Sequence, residues 1–172
     1  EYTISNPTLT EAYKERPRFQ LAIAKTNRVG TIANDFEYVT REGRHGILSN
    51  IRHKYTLLYF NNPGCHDCNR VTEYIKHSST INKLISSNNL TLLAVYPDEE
   101  LTEWEEHKSE YPKEWVVCRY ASEQYAEAYN LPAIPNLYLL DSKKSVIFKD
   151  APIEEIEAYL RRTEYGKTKN AI

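Results

Sequence analysis

Two short apolar runs constrain this chain more than anything else in it: Tyr55–Phe60 (YTLLYF) and Leu90–Tyr96 (LTLLAVY). Both are rich in β-forming residues and lack polar alternation, as suits strands covered on both faces. Between them the period changes. Val71, Tyr74 and Ile75 fall on one face at helical spacing, and Ile81, Leu84 and Ile85 repeat the pattern. Ser78-Ser79 is an expected interruption, and Asn88-Asn89 an expected end.

Further elements follow at short spacing. Asp98 is placed to cap an acidic helix carrying Leu101 and Trp104, Trp115 to Cys118 predicts a third strand, and Glu123 to Tyr129 a short helix. Asn136–Leu140 and Ser145–Lys149 predict a hairpin across Asp141-Ser142-Lys143-Lys144, a loop without Gly. Pro152 is tolerated in the first turn of a last helix lined by Ile153, Ile156 and Leu160, with a polar, frayed tail from about Arg161. Upstream, Phe36–Val39 alternates like a half-buried strand before the Glu42-Gly43 turn, and Leu48–Ile51 is of uncertain type. Residues 1–28 predict a helix capped by Thr8 or Thr10, with Tyr13, Phe19, Leu21 and Ile23 as an irregular apolar face. Pro17 is expected to kink or end it, and Gly30 to close it. Strands alternating with helices, then a hairpin and a helix, define an α/β chain with a central mixed sheet flanked by helices and an N-terminal helical extension.

The 172 residues suit one domain or one domain with an appendage. Lys and Arg number 22 against 24 Asp and Glu, a balance that argues against nucleic acid as the default partner. Fourteen Tyr and 12% aromatic residues are too much core-forming material for a disordered chain. No run approaches a membrane span, and there is no signal peptide. With no Met at any position, the chain reads as a processed or trimmed product whose missing N-terminus could have carried a targeting segment.

The chemistry concentrates at Cys65-His66-Asp67-Cys68, directly after Asn61-Asn62-Pro63-Gly64 breaks the first apolar run. A reactive site in such a sheet is expected at a strand's carboxyl end. Cys65 would lie at a helix N-terminus, where unpaired N–H groups and the helix dipole favour a thiolate. Two intervening residues let the Cys68 sulfur swing back to Cys65, as dithiol–disulfide exchange requires. Two other readings stay open. Cys65, His66 and Cys68 are potential zinc ligands, although structural zinc sites draw on two separated ligand pairs and no second pair exists here. The cysteines could also be idle. His66, if cationic, would favour a neighbouring thiolate and, if neutral, could shuttle a proton, whereas Asp67 disfavours a second negative charge; both could equally be solvated turn residues. Cys118, in an apolar context, reads as an inert packing residue. Ile134-Pro135 precedes an apolar strand, and local sequence favours a plain strand start over a cis turn.

These features together resemble the thioredoxin-like family, and more narrowly the envelope-facing TlpA/ResA-type thiol-disulfide oxidoreductases. The matching stretches are Gly30–Phe36 with Gly43, YTLLYFNNPGCHDC from Tyr55 to Cys68, TLLAVYPDEELTEWEEH, AEAYNLPAIPNLYLLD, and a closing strand and helix. The resemblance covers about residues 29 to 162. It divides the chain into a helical extension at 1–28 (the end of a preceding domain), a thioredoxin-like domain at 29–162 and a flexible tail at 163–172. It implies a catalytic pair, Cys65 attacking and Cys68 resolving, and a cis Pro135 whose neighbour Ile134 faces the disulfide and pairs with substrate backbone. His66 and Asp67 would modulate the pair. Leu101 to Tyr111 would be the family's inserted helix, and the stretch to Cys118 its added strand. It implies no cofactor and no metal; the partners would be protein disulfides or dithiols and a membrane-bound dithiol donor, in a periplasmic or other extracytoplasmic setting with a membrane tether carried by a missing N-terminal segment. The alternatives are a non-catalytic binding module and a chaperone for a soft metal such as copper. The chain departs from the family pattern at Gly64, where Trp is usual, at His66-Asp67, where Pro is common, and at Tyr59, which matches the buried proton-accepting carboxylate of thioredoxin proper.

Overall fold

In the computed structural model, which describes residues 2–129 and 131–165, the strands form one mixed sheet. They are β1 (Glu37–Thr40), β2 (His45–Ile47), β3 (Tyr55–Phe60), β4 (Leu90–Tyr96), β5 (Val116–Tyr120), β6 (Asn136–Asp141) and β7 (Val146–Lys149), in the spatial order β2-β1-β5-β4-β3-β6-β7. The helices are α1 (Tyr2–Ser5), α2 (Glu11–Lys25), α3 (His66–His77), α4 (Ser79–Ser86), α5 (Thr102–His107) and α6 (Ile153–Tyr165). The two apolar runs are neighbours: β3 lies parallel to β4, with Tyr55 opposite Leu90, and antiparallel to β6, with Tyr55 opposite Asp141.

The alternation of a strand sends its side chains to both faces of this sheet. Leu57 and Tyr59 of β3 and Leu92, Ala94 and Tyr96 of β4 join Ile75, Ile81, Ile156 and Leu160 from α3, α4 and α6. Leu58, Phe60, Leu93 and Val95 enter the opposite layer, where Phe36, Phe60, Tyr129 and Tyr138 pack ring against ring at 4.9–6.4 Å between centroids. Each fully buried Leu of this kind is worth about 1.5–3 kcal/mol of apolar transfer, which is why β3 and β4 carry no charge.

The Gly-free hairpin between β6 and β7 closes by other means. Asp141 Oδ1 accepts from the N–H of Lys143 and of Ser145, both at 2.8 Å, and Lys144 takes the left-handed conformation at φ 66°. The Lys144 ammonium donates to the Ile51 carbonyl at 2.8 Å, which holds an otherwise unfavourable backbone in place. Gly46 in β2 answers a close approach instead: a Cβ there would sit 2.3 Å from the Tyr38 ring.

Several expectations need correction. Pro17 does not end α2, which runs from Glu11 to Lys25 with the proline inside it. The proline costs one bond, to the Tyr13 carbonyl, and Tyr13 is 73% exposed, so water can take that carbonyl. Glu11 ties the first turns together, to Lys14 at 3.1 Å and Arg18 at 2.5 Å. Tyr13 and Phe19 form no buried face, the latter being 54% exposed. Thr10 is the N-cap residue of α2 but makes no side-chain cap bond, and the helix closes at Thr26, short of Gly30. Asp98 does not cap α5. Glu100 Oε1 accepts from the Thr102 N–H at 2.8 Å, and Asp98 is drawn away to Asn62. The third strand begins one residue late and extends to Tyr120, because it also pairs with β1, Tyr38 opposite Tyr120. The short helix after Ser122 is a 3₁₀ turn, Glu123–Ala128, as is Leu48–Asn50. α6 continues past Arg161 to Tyr165, held by the Lys54–Glu164 ion pair and a bond of 3.4 Å from the Tyr55 hydroxyl to Thr163; the rest of the expected tail lies outside the described residues.

The buried acids of this core make the fold sensitive to alkali. Burial pushes the Tyr129 phenol and the Cys118 thiol well above their ordinary values, and Tyr138 up to about 12. A raised folded pKa means that the folded chain holds protons the unfolded chain has released. The stability contributed is fully present below the unfolded values, roughly pH 8.5–10, and is lost as pH rises through the folded ones. Each group can remove up to about 1.4 kcal/mol per pH unit in that window. Chemical denaturation between pH 7 and 11, read by circular dichroism, is expected to show a falling midpoint that begins near pH 9; a flat midpoint would contradict the burial of these groups.

Candidate active site at the first turn of α3

The turn after β3 is built to present one cysteine and hide the other. Asn62 Oδ1 accepts from the Gly64 N–H at 2.7 Å, and Asn62 Nδ2 donates to Asp98 Oδ2 at 2.7 Å, tying the turn to the carboxyl end of β4. The Cys65 N–H returns to the Asn62 carbonyl at 3.0 Å. Cys65 is then the N-cap residue of α3, half-buried, and its sulfur accepts from the Cys68 N–H at 3.3 Å. Cys68, one turn on, is 1% exposed. Burial pushes the Cys68 thiol up, and its hydrogen bond with Cys65 pushes it further, while the Asn62 backbone amide works in the opposite sense. The two sulfurs thus have different chemistry: one reaches solvent at a helix N-terminus, the other waits beneath it as a neutral thiol.

Under Cys68 lies a polar network inside an otherwise apolar layer. The Tyr59 hydroxyl, wholly buried, donates to the Cys68 carbonyl at 2.5 Å and shares a bond of 3.0 Å with the Thr72 hydroxyl. Asn61 Nδ2 donates to the Tyr59 carbonyl at 2.9 Å, and its Oδ1 accepts from the Tyr111 hydroxyl at 2.5 Å. Tyr111 is held in turn by Arg41, whose guanidinium donates to the Tyr111 and Pro112 carbonyls at 3.0 and 3.1 Å. Burial drives both phenols up, and neighbouring thiols add to the effect. Tyr59 is therefore a donor and not a base. Thr72 lies four residues after Cys68, the one sequence cue to its place in this network; Asn61, Tyr111 and Arg41 gave no local signal.

His66 and Asp67 begin α3 and are exposed, Asp67 accepting from Arg70 Nη1 at 3.4 Å. The Ile134–Pro135 peptide bond is cis. Ile134 packs on the aromatic layer, and Pro135 lines a groove together with His66 and Asp67. Glu103 of α5 was not foreseen: its carboxylate lies 3.3 Å from where a side chain on Gly64 would begin. Among the described residues no three His, Cys, Asp or Glu side chains converge as metal ligands. Cys118 sits in β5, wholly buried in the same apolar layer as Phe36 and Phe60. A bulky maleimide is expected to label Cys65 in the native protein and to reach Cys118 only after denaturation; mass spectrometry of the native digest showing comparable labelling of both would contradict this placement.

A mixed sheet that carries a Cys-x-x-Cys from the end of a central strand into the first turn of a helix, one sulfur open and one closed in, defines a thioredoxin-fold dithiol domain. The sequence profile of the thioredoxin-like family matches residues 53–146. A thioredoxin-like protein from Bacteroides caccae is 42% identical, with a TM-score of 0.85 over 92% of this chain, and the chain spans 58% of that protein's length. The C-terminal domain of an uncharacterized Bacteroides fragilis protein is 43% identical, with a TM-score of 0.74, over 78% of this chain and 97% of its own. The chain belongs to the thioredoxin-like family. At 19% identity the thioredoxin domain of a thiol-disulfide oxidoreductase from Bacteroides vulgatus shares the fold, with a TM-score of 0.68 over 79% of this chain and 97% of its own. No curated protein matches the sequence.

Proposed function

We propose that the protein is a thiol-disulfide oxidoreductase that reduces protein disulfides through Cys65 and Cys68. The observation that carries this reading is the asymmetry of the pair, with Cys65 accessible at the N-cap of α3 and Cys68 buried one turn beyond. The Cys65 thiolate attacks a client disulfide, forming one S–S bond and expelling the client's other sulfur as a thiolate. Cys68 then loses its proton and attacks Cys65 Sγ. The Cys65–Cys68 disulfide forms, the second client thiolate leaves, and two electrons have passed to the client. Ile134 and Pro135 hold the client chain beside the sulfurs, and His66 and Asp67 modulate the exchange. The cycle closes when a membrane-bound dithiol donor reduces the pair.

We assign this reaction to the bacterial envelope on the resemblance of residues 29–162 to the TlpA/ResA-type enzymes, with residues 1–28 as the end of a preceding domain. The described residues include no helix long and apolar enough to cross a membrane. Equilibration with glutathione buffers of stepped potential, read by mass, tests the assignment. A reversible Cys65–Cys68 disulfide and turnover of a protein disulfide are expected; a pair that stays dithiol across the series, or reduced protein that leaves a client disulfide intact, would overturn it.

A further inference from the structure

A groove of about 1150 Å³ runs from His66 and Asp67, the residues between the two cysteines, along α3 to the first turns of α6. It is open to solvent and larger than most small-molecule sites, which suits an extended polypeptide better than a metabolite. Its apolar part is Val71, Pro135, Leu137 and Ile153. Its charge is one-sided. Among the described residues Arg70 is the only Lys or Arg in the lining, and it faces Asp67 at 3.4 Å; Glu73 is met by Lys76 at 2.9 Å and lies near His77. His66 and Tyr74 complete the titratable groups on the α3 side.

On the α6 side two carboxylates stand without an ion pair among the described residues. Glu157 accepts from the hydroxyls of Tyr74 at 2.5 Å and Ser78 at 2.6 Å, both neutral donors, so its charge is held and not cancelled. Burial pushes its carboxyl up, but the Ser78 and Tyr74 bonds outweigh this, and the result is lowered; Arg161, one turn on, adds to the lowering. Glu154, exposed, points its charge into the same groove. Across the pair, Asp98 and Glu103 place carboxylates beside the Asn62–Gly64 turn. Carboxylates thus line the groove beside His66 and Asp67 and stand beside the Asn62–Gly64 turn, in a chain whose overall formal charge is only −2.

We infer that this groove receives the polypeptide that flanks the client's cysteine, and that it selects segments carrying Lys or Arg. The inference rests on the exchange reading of Cys65 and Cys68 for its chemistry and on the groove for its selectivity. The client's aliphatic side chains lie on Pro135 and Val71, both partly exposed, and a cationic side chain reaches Glu154 and Glu157.

Two peptide disulfides of equal length test it, one with Lys on either side of the cysteine and one with Glu. The reduced full chain is expected to reduce the Lys probe faster by on the order of tenfold at low salt, the lower end of what electrostatic steering supplies. The ratio is expected to shrink toward unity in about 1 M salt, where charges are screened beyond about 3 Å. Glu154→Lys is expected to lower the ratio several-fold. Glu37→Lys makes the same charge change on the exposed side of β1 and is expected to keep it. A ratio measured on one preparation is independent of the fraction folded. Cysteine-free versions of both peptides, compared by fluorescence anisotropy, read the groove without exchange. Equal rates and equal affinities for the two charges would overturn the inference, as would a ratio moved equally by Glu37→Lys. Preference for the cationic cysteine-free peptide by a chain that reduces no disulfide would sink the exchange reading and leave the groove standing.

Discussion

Cys68→Ser is expected to accumulate a mixed disulfide between Cys65 and its client, whereas Cys65→Ser accumulates none and falls to the uncatalysed background. Only Cys65 reaches solvent, and Cys68 is closed off at 1% exposure with its thiol raised by burial. A sulfur in that position can attack Cys65, one helical turn away, but not a client. Non-reducing electrophoresis after incubation with a disulfide-bonded client distinguishes the variants. Equal trapping by both would mean that Cys68 is accessible in solution and that the assigned roles are wrong.

The second large effect concerns the proton on Cys68. Resolution of the mixed disulfide is expected to speed up about tenfold per pH unit from neutrality into the alkaline range, as for a thiol that is mostly protonated throughout. The cause lies below it. Where a carboxylate could take the proton there is the Tyr59 phenol, which donates to the Cys68 carbonyl and is itself pushed up by burial. Tyr59→Phe leaves the Thr72 hydroxyl and that carbonyl without the phenol, at a cost of about 1–3 kcal/mol in stability. It should leave the pH slope unchanged. Stopped-flow release of a fluorescent client thiol measures both. A plateau near neutral pH in the parent protein, lost in Tyr59→Phe, would make Tyr59 part of a proton route and contradict its reading as a donor.

What was legible in the sequence was what burial dictates locally. Tyr55–Phe60 and Leu90–Tyr96 read as central strands because they are mostly apolar β-formers without a charge, and the cysteine pair after the first then falls at a helix start. Ser78 marks the α3–α4 break because its hydroxyl accepts from the Ile81 N–H at 3.0 Å, a local bond between near neighbours. What escaped depends on distant partners. β2 is three residues long and has meaning only as the pair of β1. Asp98 looked like a cap until Asn62, 36 residues earlier, competed for it. Pro17 misled because α2 continues through it, although a proline there removes one backbone bond and crowds the preceding turn. Within the site the two cysteines were visible, but the Tyr59–Thr72 and Asn61–Tyr111 bonds join three separate stretches that only the folded sheet brings together.

The two rims of the sheet are not protected alike. β2 ends one rim by brevity. At the other, β7 is covered by the strand-like passage before β1: the Gly30 N–H donates to the Val146 carbonyl at 2.8 Å, the Val146 N–H to the Thr31 carbonyl at 2.9 Å, and the Ala33 N–H to the Lys144 carbonyl at 2.9 Å. Lys149 fastens the same passage from above, its ammonium donating to the Ile23 carbonyl and, at 2.6 Å, to that of Thr26. A form shortened to begin at Asp35 would keep the cysteine pair and its network intact, yet it would bare those groups of β7 as a template on which another chain could add a strand. Removing the amino-terminal passage is therefore expected to favour self-association through β7, an effect separate from that of changing the cysteine pair.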